Sequence, residues 1–209
     1  MDKVAVILLK CVGKAVDTAA LERGLAALSA CITPALVSMQ TNRALVGAGV
    51  GAEAEAYIYC ELGEAAVLTA ADMRAIEQAT LEVRELAGLR LSAARLVCRF
   101  DRPGASFGEA APFHYSVEFD PAEGWEAEIA SWYDTEHMPG LALVRGCVRA
   151  RRFLNLDGGP RVLACYELVS LAARDSKAWQ QMVATPWSSR VRPNFLHPKR
   201  TLFARAPAA

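Results

Sequence analysis

The hydrophobic period of this chain switches repeatedly between two and about 3.6, and the order of the switches constrains the fold more than any single motif. Residues 4–12 read as a strand. Residues 17–32 carry Leu21, Leu25, Leu28 and Ile32 on one helical face, with Asp17 or Thr18 as the cap and Pro34 beyond the end. Residues 35–45 and 56–62 read as two strands joined by the glycine-rich loop at 47–51. Thr69 caps a second helix that places Met73, Ile76, Thr80, Val83 and Ala87 on one face, and residues 93–100 form the next strand. The order is β-α-β-β-α-β.

After a low-regularity stretch up to Pro112, the same order recurs. Residues 113–119 alternate Phe, Tyr, Val and Phe against His114, Ser116 and Glu118, which predicts a half-buried strand with those polar groups on its wet face or, under a helix, lining a pocket. A helix over 121–137 ends at Pro139-Gly140. Strands at 146–154 and 161–169 flank the turn at 157–160, a helix covers 175–184, and 200–206 is the last strand. Such a unit is the split βαβ, or ferredoxin-like, arrangement, whose uncovered sheet face needs a partner. The expected class is therefore α+β: two tandem ferredoxin-like units, 1–104 and 113–209, packed sheet to sheet as an intrachain α+β barrel with internal pseudo-twofold symmetry.

Composition narrows the functions. Twenty-three Lys and Arg balance 23 Asp and Glu, so no basic arm calls for nucleic acid. The apolar opening from Val4 to Leu9 is far short of the roughly 20 residues that cross a bilayer, and no secretory leader is evident. Six cysteines are scattered without a C-x-x-C pair, as expected of reduced thiols in a cytoplasmic protein. The expected partner is a small-molecule ligand, and the chain is expected to be a monomer with its internal pseudo-dimer, or a homodimer.

Reactive side chains are densest in Trp132-Tyr133-Asp134-Thr135-Glu136-His137-Met138-Pro139. On an α-helix, Tyr133 and His137 share one face and Trp132 and Glu136 a neighbouring one. A phenol, an imidazole, a carboxylate and an indole are then grouped where Pro139 stops the helix, and His137 can exchange a proton near neutral pH. The plainer alternative makes the two aromatics core residues and Glu136-His137 a solvated helix end. On the strand at 146–154, Arg149 and Arg151 share one face, and Arg152 lies among Val148, Ala150 and Leu154. A cation there needs a partner. Glu118, Glu167 or a ligand anion would serve. Trp187 either caps a pocket or covers one end of the barrel.

The string W-Y-D-T-E-H-M-P, followed by the arginine-rich strand and Thr185-Pro-Trp187, resembles the dimeric α/β-barrel superfamily, in particular its EthD-like and related branches, over about 113–206. The resemblance implies a pocket between sheet and helices with His137 as its acid–base residue. Members of that superfamily include dehydratases, cyclases, lactone isomerases and cofactor-free monooxygenases. The helix over 17–32 has no Tyr, His or carboxylate at its end, so one site per chain is expected.

The three histidines form no metal-ligand pattern, and neither a Walker sequence nor a G-x-S-x-G occurs. The leading expectation is a cofactor-independent acid–base enzyme acting on a small apolar carbonyl or hydroxylated compound. In it His137 moves the proton, Tyr133 or Glu136 orients it, and Arg149 or Arg152 stabilises negative charge, with Trp132, His114 and Trp187 around the substrate. A non-catalytic binding or structural barrel is the alternative, and a haem protein using His137 or His114 is a third. An enzyme requires an enclosed cavity of a few hundred Å³, whereas a structural barrel is packed solid around Trp132 and Trp187.

Overall fold

A computed structural model describes residues 4–13, 36–45, 53–66, 68–81 and 88–206. The helix expected over 17–32, the loop at 47–51 and the end of the helix begun at Thr69 lie outside them. The chain divides into two compact units, residues 1–97 with 203–209, and residues 98–202.

In the first unit, β1 (Val4–Gly13) is the central strand, antiparallel to β3 (Ala54–Ala66) on one side and to β4 (Arg90–Pro103) on the other, with Leu8 opposite both Tyr59 and Ala94. Its unbroken apolar run follows from that position. Val6, Ile7, Leu8 and Leu9 are all buried, so successive side chains on both faces are withdrawn from water. Strand β2 (Leu36–Ala44) pairs with β3. The helix α1 (Ala70–Leu81) starts at a capping box in which the Asp72 amide donates to Thr69 Oγ1 at 3.3 Å and the Thr69 amide donates to Asp72 Oδ2 at 2.6 Å. It buries Met73 and Ile76 in a cluster with Ile7, Leu9 and Ile58. All five described cysteines are free thiols, four of them buried.

In the second unit, β7 (Val162–Leu168) is central, between β5 (Phe113–Pro121) and β6 (Cys147–Asn155), with Tyr115 opposite Tyr166 and Arg152 opposite Ala164. Short helical segments cover one face: α2 (Glu126–Trp132), a π turn (Tyr133–His137), α3 (Met138–Ala142), α4 (Leu171–Asp175), α5 (Lys177–Val183) and α6 (Pro186–Val191). They bury Ile129, Trp132, Tyr133, Leu141 and Trp179 against Tyr115, Phe119 and Tyr166. Strand β8 (Phe195–Arg205) ends the described fold.

The expectation of two ferredoxin-like repeats packed sheet to sheet is overturned. The hydrogen-bonded strand order is β1-β3-β2-β8-β5-β7-β6-β4, and it closes into one eight-stranded antiparallel barrel that is mostly sheet. Element order along a chain does not reveal whether edge strands find partners, and here they do. β4 and β8 are longer than the sequence period indicated, and β8 pairs with β2 through Asn42 opposite Arg205. Closure removes the free edges that two separate sheets would present. The helices also differ from the expected pattern: residues 126–142 form three joined segments, and residues 171–191 form three more.

Strand β5 is not half-buried as expected. His114, Ser116 and Glu118 are as buried as Tyr115 and Val117. His114 stands opposite Glu167 in the β5–β7 register, and Arg151 donates to Glu167 Oε1 at 3.2 Å. The polar side of this sheet is thus an enclosed layer of charged and hydrogen-bonding groups.

Gly146, where α3 leads into β6, has φ +96°, and a Cβ there would stand 2.5 Å from Ala173 Cβ. Left-handed backbone and a packed neighbour together restrict the position to glycine. Gly146→Ala is expected to cost about 2–3 kcal/mol and to lower Tm by about 4–10 °C, as read by thermal unfolding.

Candidate active site

The site is set by a change of helical register. Pro139 has no amide hydrogen, so a continuous α-helix through it would lose a backbone bond. The chain instead passes through one π turn over Tyr133–His137, in which the Met138 amide donates to the Tyr133 carbonyl five residues back. Pro139 then occupies the first turn of α3, where its missing donor is harmless. Pro139 therefore does not stop the helix, as expected from the sequence, but is followed by another turn.

Five-residue register brings Trp132 against His137. Their rings stack at a centroid distance of 4.1 Å and 24°. The Tyr133 ring stands edge-on to His137 at 5.5 Å. Trp132, Tyr133 and His137 are all buried, so the solvated helix end considered for His137 is excluded. The predicted carboxylate is drawn away from the group. Glu136 accepts from the Thr185 hydroxyl at 2.6 Å, and Thr185 caps α6 through the Ser188 amide at 3.0 Å.

Burial, together with the Arg192 guanidinium, holds the His137 pKa down at about 3, against an opposing hydrogen bond to the Met182 backbone. The ring is therefore neutral near pH 7. Its Nδ1 is buried and has no hydrogen-bond partner among the described residues, so the proton lies on the other nitrogen and Nδ1 presents a lone pair. His137 lines a cavity of about 40 Å³ whose walls include Tyr115, Trp179, Tyr166 and Phe195, with Arg192 and Arg200 also on its lining. The Tyr166 hydroxyl is buried without a partner among the described residues. Burial raises the pKa of both Tyr133 and Tyr166, so both phenols remain protonated donors.

A second, larger cavity of about 440 Å³ lies in the same unit and shares no lining residue with the first. Ile129, Ala130, Leu154 and Val162 supply apolar wall, and Arg99, Arg152, Arg161, Glu126 and Asp134 supply charge. Arg152 Nη2 donates to both carboxylate oxygens of Asp134, at 2.7 and 2.9 Å. The partner foreseen for Arg152 was Glu118, Glu167 or a ligand; Asp134, on the π turn one helical turn beyond Ala130, takes that place.

The remaining predicted residues are dispersed. Arg149 donates from Nε to Asp101 Oδ1 at 2.8 Å, away from both cavities. His114 lies on the opposite face of β5 from Tyr115 and does not meet His137. Trp187 lines neither cavity; its indole donates to Glu128 Oε1 at 2.9 Å. Sequence reasoning missed Tyr115, Tyr166, Trp179, Phe195, Arg192 and Arg200 at the His137 cavity. The alternation of Tyr115 with His114 was the available signal for a tyrosine facing the helices. No group of three or more His, Cys, Asp or Glu is placed to hold a metal among the described residues, and none of their helices is long and apolar enough to cross a membrane.

No protein-family model matches this chain, and no curated protein matches it in sequence. Solved structures do. A monooxygenase candidate from Fusobacterium nucleatum superposes with TM-score 0.64 at 7% identity, over 99% of this chain and 94% of that one. An anthrone oxidase-like protein gives TM-score 0.55 at 12% identity, over 99% and 94%. A mutant chlorite dismutase from Candidatus Nitrospira defluvii in complex with cyanide gives 0.62 at 11%, over 99% and 92%. At these identities the likeness is one of fold, and this chain shares the fold of all three.

Proposed function

We propose that the chain is a cofactor-independent acid–base enzyme acting on a small carbonyl or hydroxylated aromatic compound, with His137 Nδ1 as the proton acceptor. The observation that carries this reading is the combination of a buried Nδ1, unpartnered among the described residues, and a cavity that the same histidine lines. The likeness of W-Y-D-T-E-H-M-P to EthD-like proteins gives the same histidine the same role, and the fold neighbours described as oxygenases or oxidase-like proteins suit small-molecule chemistry.

In this reading Nδ1 accepts a proton from a C–H or O–H acid of the substrate. The resulting imidazolium is held through its hydrogen bond to the Met182 backbone. A pKa of about 3 makes the imidazole a weak base, but an enolate or phenolate forming beside the ring would raise it. Tyr166, whose hydroxyl lacks a partner among the described residues, would donate to the substrate oxygen, and Arg192 and Arg200 would offset its charge. The delocalised anion can be reprotonated at another atom, which is isomerisation, or can react with dioxygen as co-substrate, which is monooxygenation. A volume of 40 Å³ holds a water rather than a substrate, so substrate entry requires side chains of the lining to move aside.

That same small volume favours a second reading, a barrel that is packed and non-catalytic around Trp132. A panel of hydroxylated aromatics and 1,3-dicarbonyls, followed by oxygen uptake and by solvent deuterium incorporation, separates the two. The enzyme reading expects turnover of at least one compound, lowered about 10²- to 10⁴-fold by His137→Gln. Glu136→Gln is expected to change turnover by only a few fold, since its carboxylate is bonded to Thr185. Turnover unaffected by His137→Gln would refute the assignment.

A further inference from the structure

The 440 Å³ cavity beside Arg152 plays no part in the chemistry assigned to His137, yet its volume is that of a small-molecule site. Its lining carries three arginines against two carboxylates, an excess of one positive charge. Arg152 is the buried member, with its side chain 7% exposed. Only its Nη2 is used by Asp134; among the described residues neither the buried Nε nor Nη1 has a hydrogen-bond partner. Asp134 is itself 40% exposed, so this ion pair leaves much of the guanidinium's donor capacity unused. Arg161 is exposed, and its side chain has no partner among the described residues. Ile129, Leu154 and Val162 form an apolar wall beside these cations.

We propose that this cavity binds a small organic monoanion, an aryl or branched acyl carboxylate, whose carboxylate is held by Arg152 and Arg161 and whose apolar body lies on Ile129, Leu154 and Val162. One negative charge matches the excess of the lining, and the apolar wall selects an organic anion over an inorganic one. The proposal is independent of the role given to His137, because the two cavities share no residue.

The test titrates the full chain at low salt with benzoate, its neutral analogue benzamide, and inorganic phosphate, each followed by backbone amide NMR shifts. Benzoate is expected to saturate with Kd of about 1 mM or tighter, and benzamide and phosphate to bind at least about tenfold more weakly. Arg152→Gln is expected to weaken benzoate about tenfold, and the exposed Arg161→Gln about threefold or more. His137→Gln is expected to bind benzoate as the parent does. Absence of saturation by benzoate, equal binding of benzamide or phosphate, or dependence on His137 would each overturn the proposal. Should Arg152→Gln fail to fold, unchanged affinity in Arg161→Gln overturns it alone.

Discussion

Trp132→Ala is expected to destabilise the protein by about 3–5 kcal/mol, the range for removing a large buried aromatic. The indole is 1% exposed and is packed by three rings: His137 at 4.1 Å, Tyr133 at 4.5 Å and Phe195 at 6.1 Å between centroids. Truncation leaves a void beneath a π turn whose geometry exists to bring residues 132 and 137 together, so the turn has little means of collapsing to fill it. Trp187→Ala removes a partly exposed indole and one hydrogen bond to Glu128, and should cost a small fraction as much. Urea unfolding of the two variants measures the contrast. Equal losses of midpoint would contradict the packing described for Trp132.

The second large effect is on pH dependence. The pKa of His137 is lowered by folding to about 3 from the ordinary 6.5, so below pH 6.5 the unfolded chain takes up a proton that the folded chain refuses. Folding stability from this group is complete above about pH 6.5 and is lost progressively as pH falls toward 3. The loss is bounded by on the order of 5 kcal/mol, from 1.36 kcal/mol per pKa unit. Cationic Arg192 faces the ring and adds to its reluctance to protonate; the neighbouring Tyr133 and Tyr166 remain neutral throughout this range. His137→Gln should therefore flatten the stability profile between pH 6.5 and 4 relative to the parent. Parallel profiles for the two proteins would mean that the histidine is not withdrawn from water as described.

What could be read from the residues follows from which interactions are local. β1, β3, β5, β6 and β7 each declare themselves by apolar runs or alternation, and the helix at Thr69 by its cap. His137 stood out because Trp, Tyr, Glu and Pro surround it within eight residues. Ring closure did not show, since pairing of β2 with β8 joins residues more than 150 positions apart and depends on strand ends that carry little periodicity. The π turn was equally hidden. A sign of it existed in Leu141 and Val144 beyond Pro139, which continue a helical spacing that a terminating proline would not allow. Without that turn, α-helical spacing groups Glu136 with Trp132 beside the site, although Thr185 is its actual partner. The burial of His114, Ser116 and Glu118 was missed because alternation distinguishes two sides of a strand and not whether the polar side is wet.

The most direct test is a nitrogen-15 NMR titration of the imidazoles between pH 7.5 and 4, with His137→Gln used to assign the resonance. A ring that stays neutral throughout, with Nδ1 bare and the other nitrogen protonated, is the predicted result. A His137 signal that titrates with a midpoint near 6.5, or that carries its proton on Nδ1, would contradict the site described here.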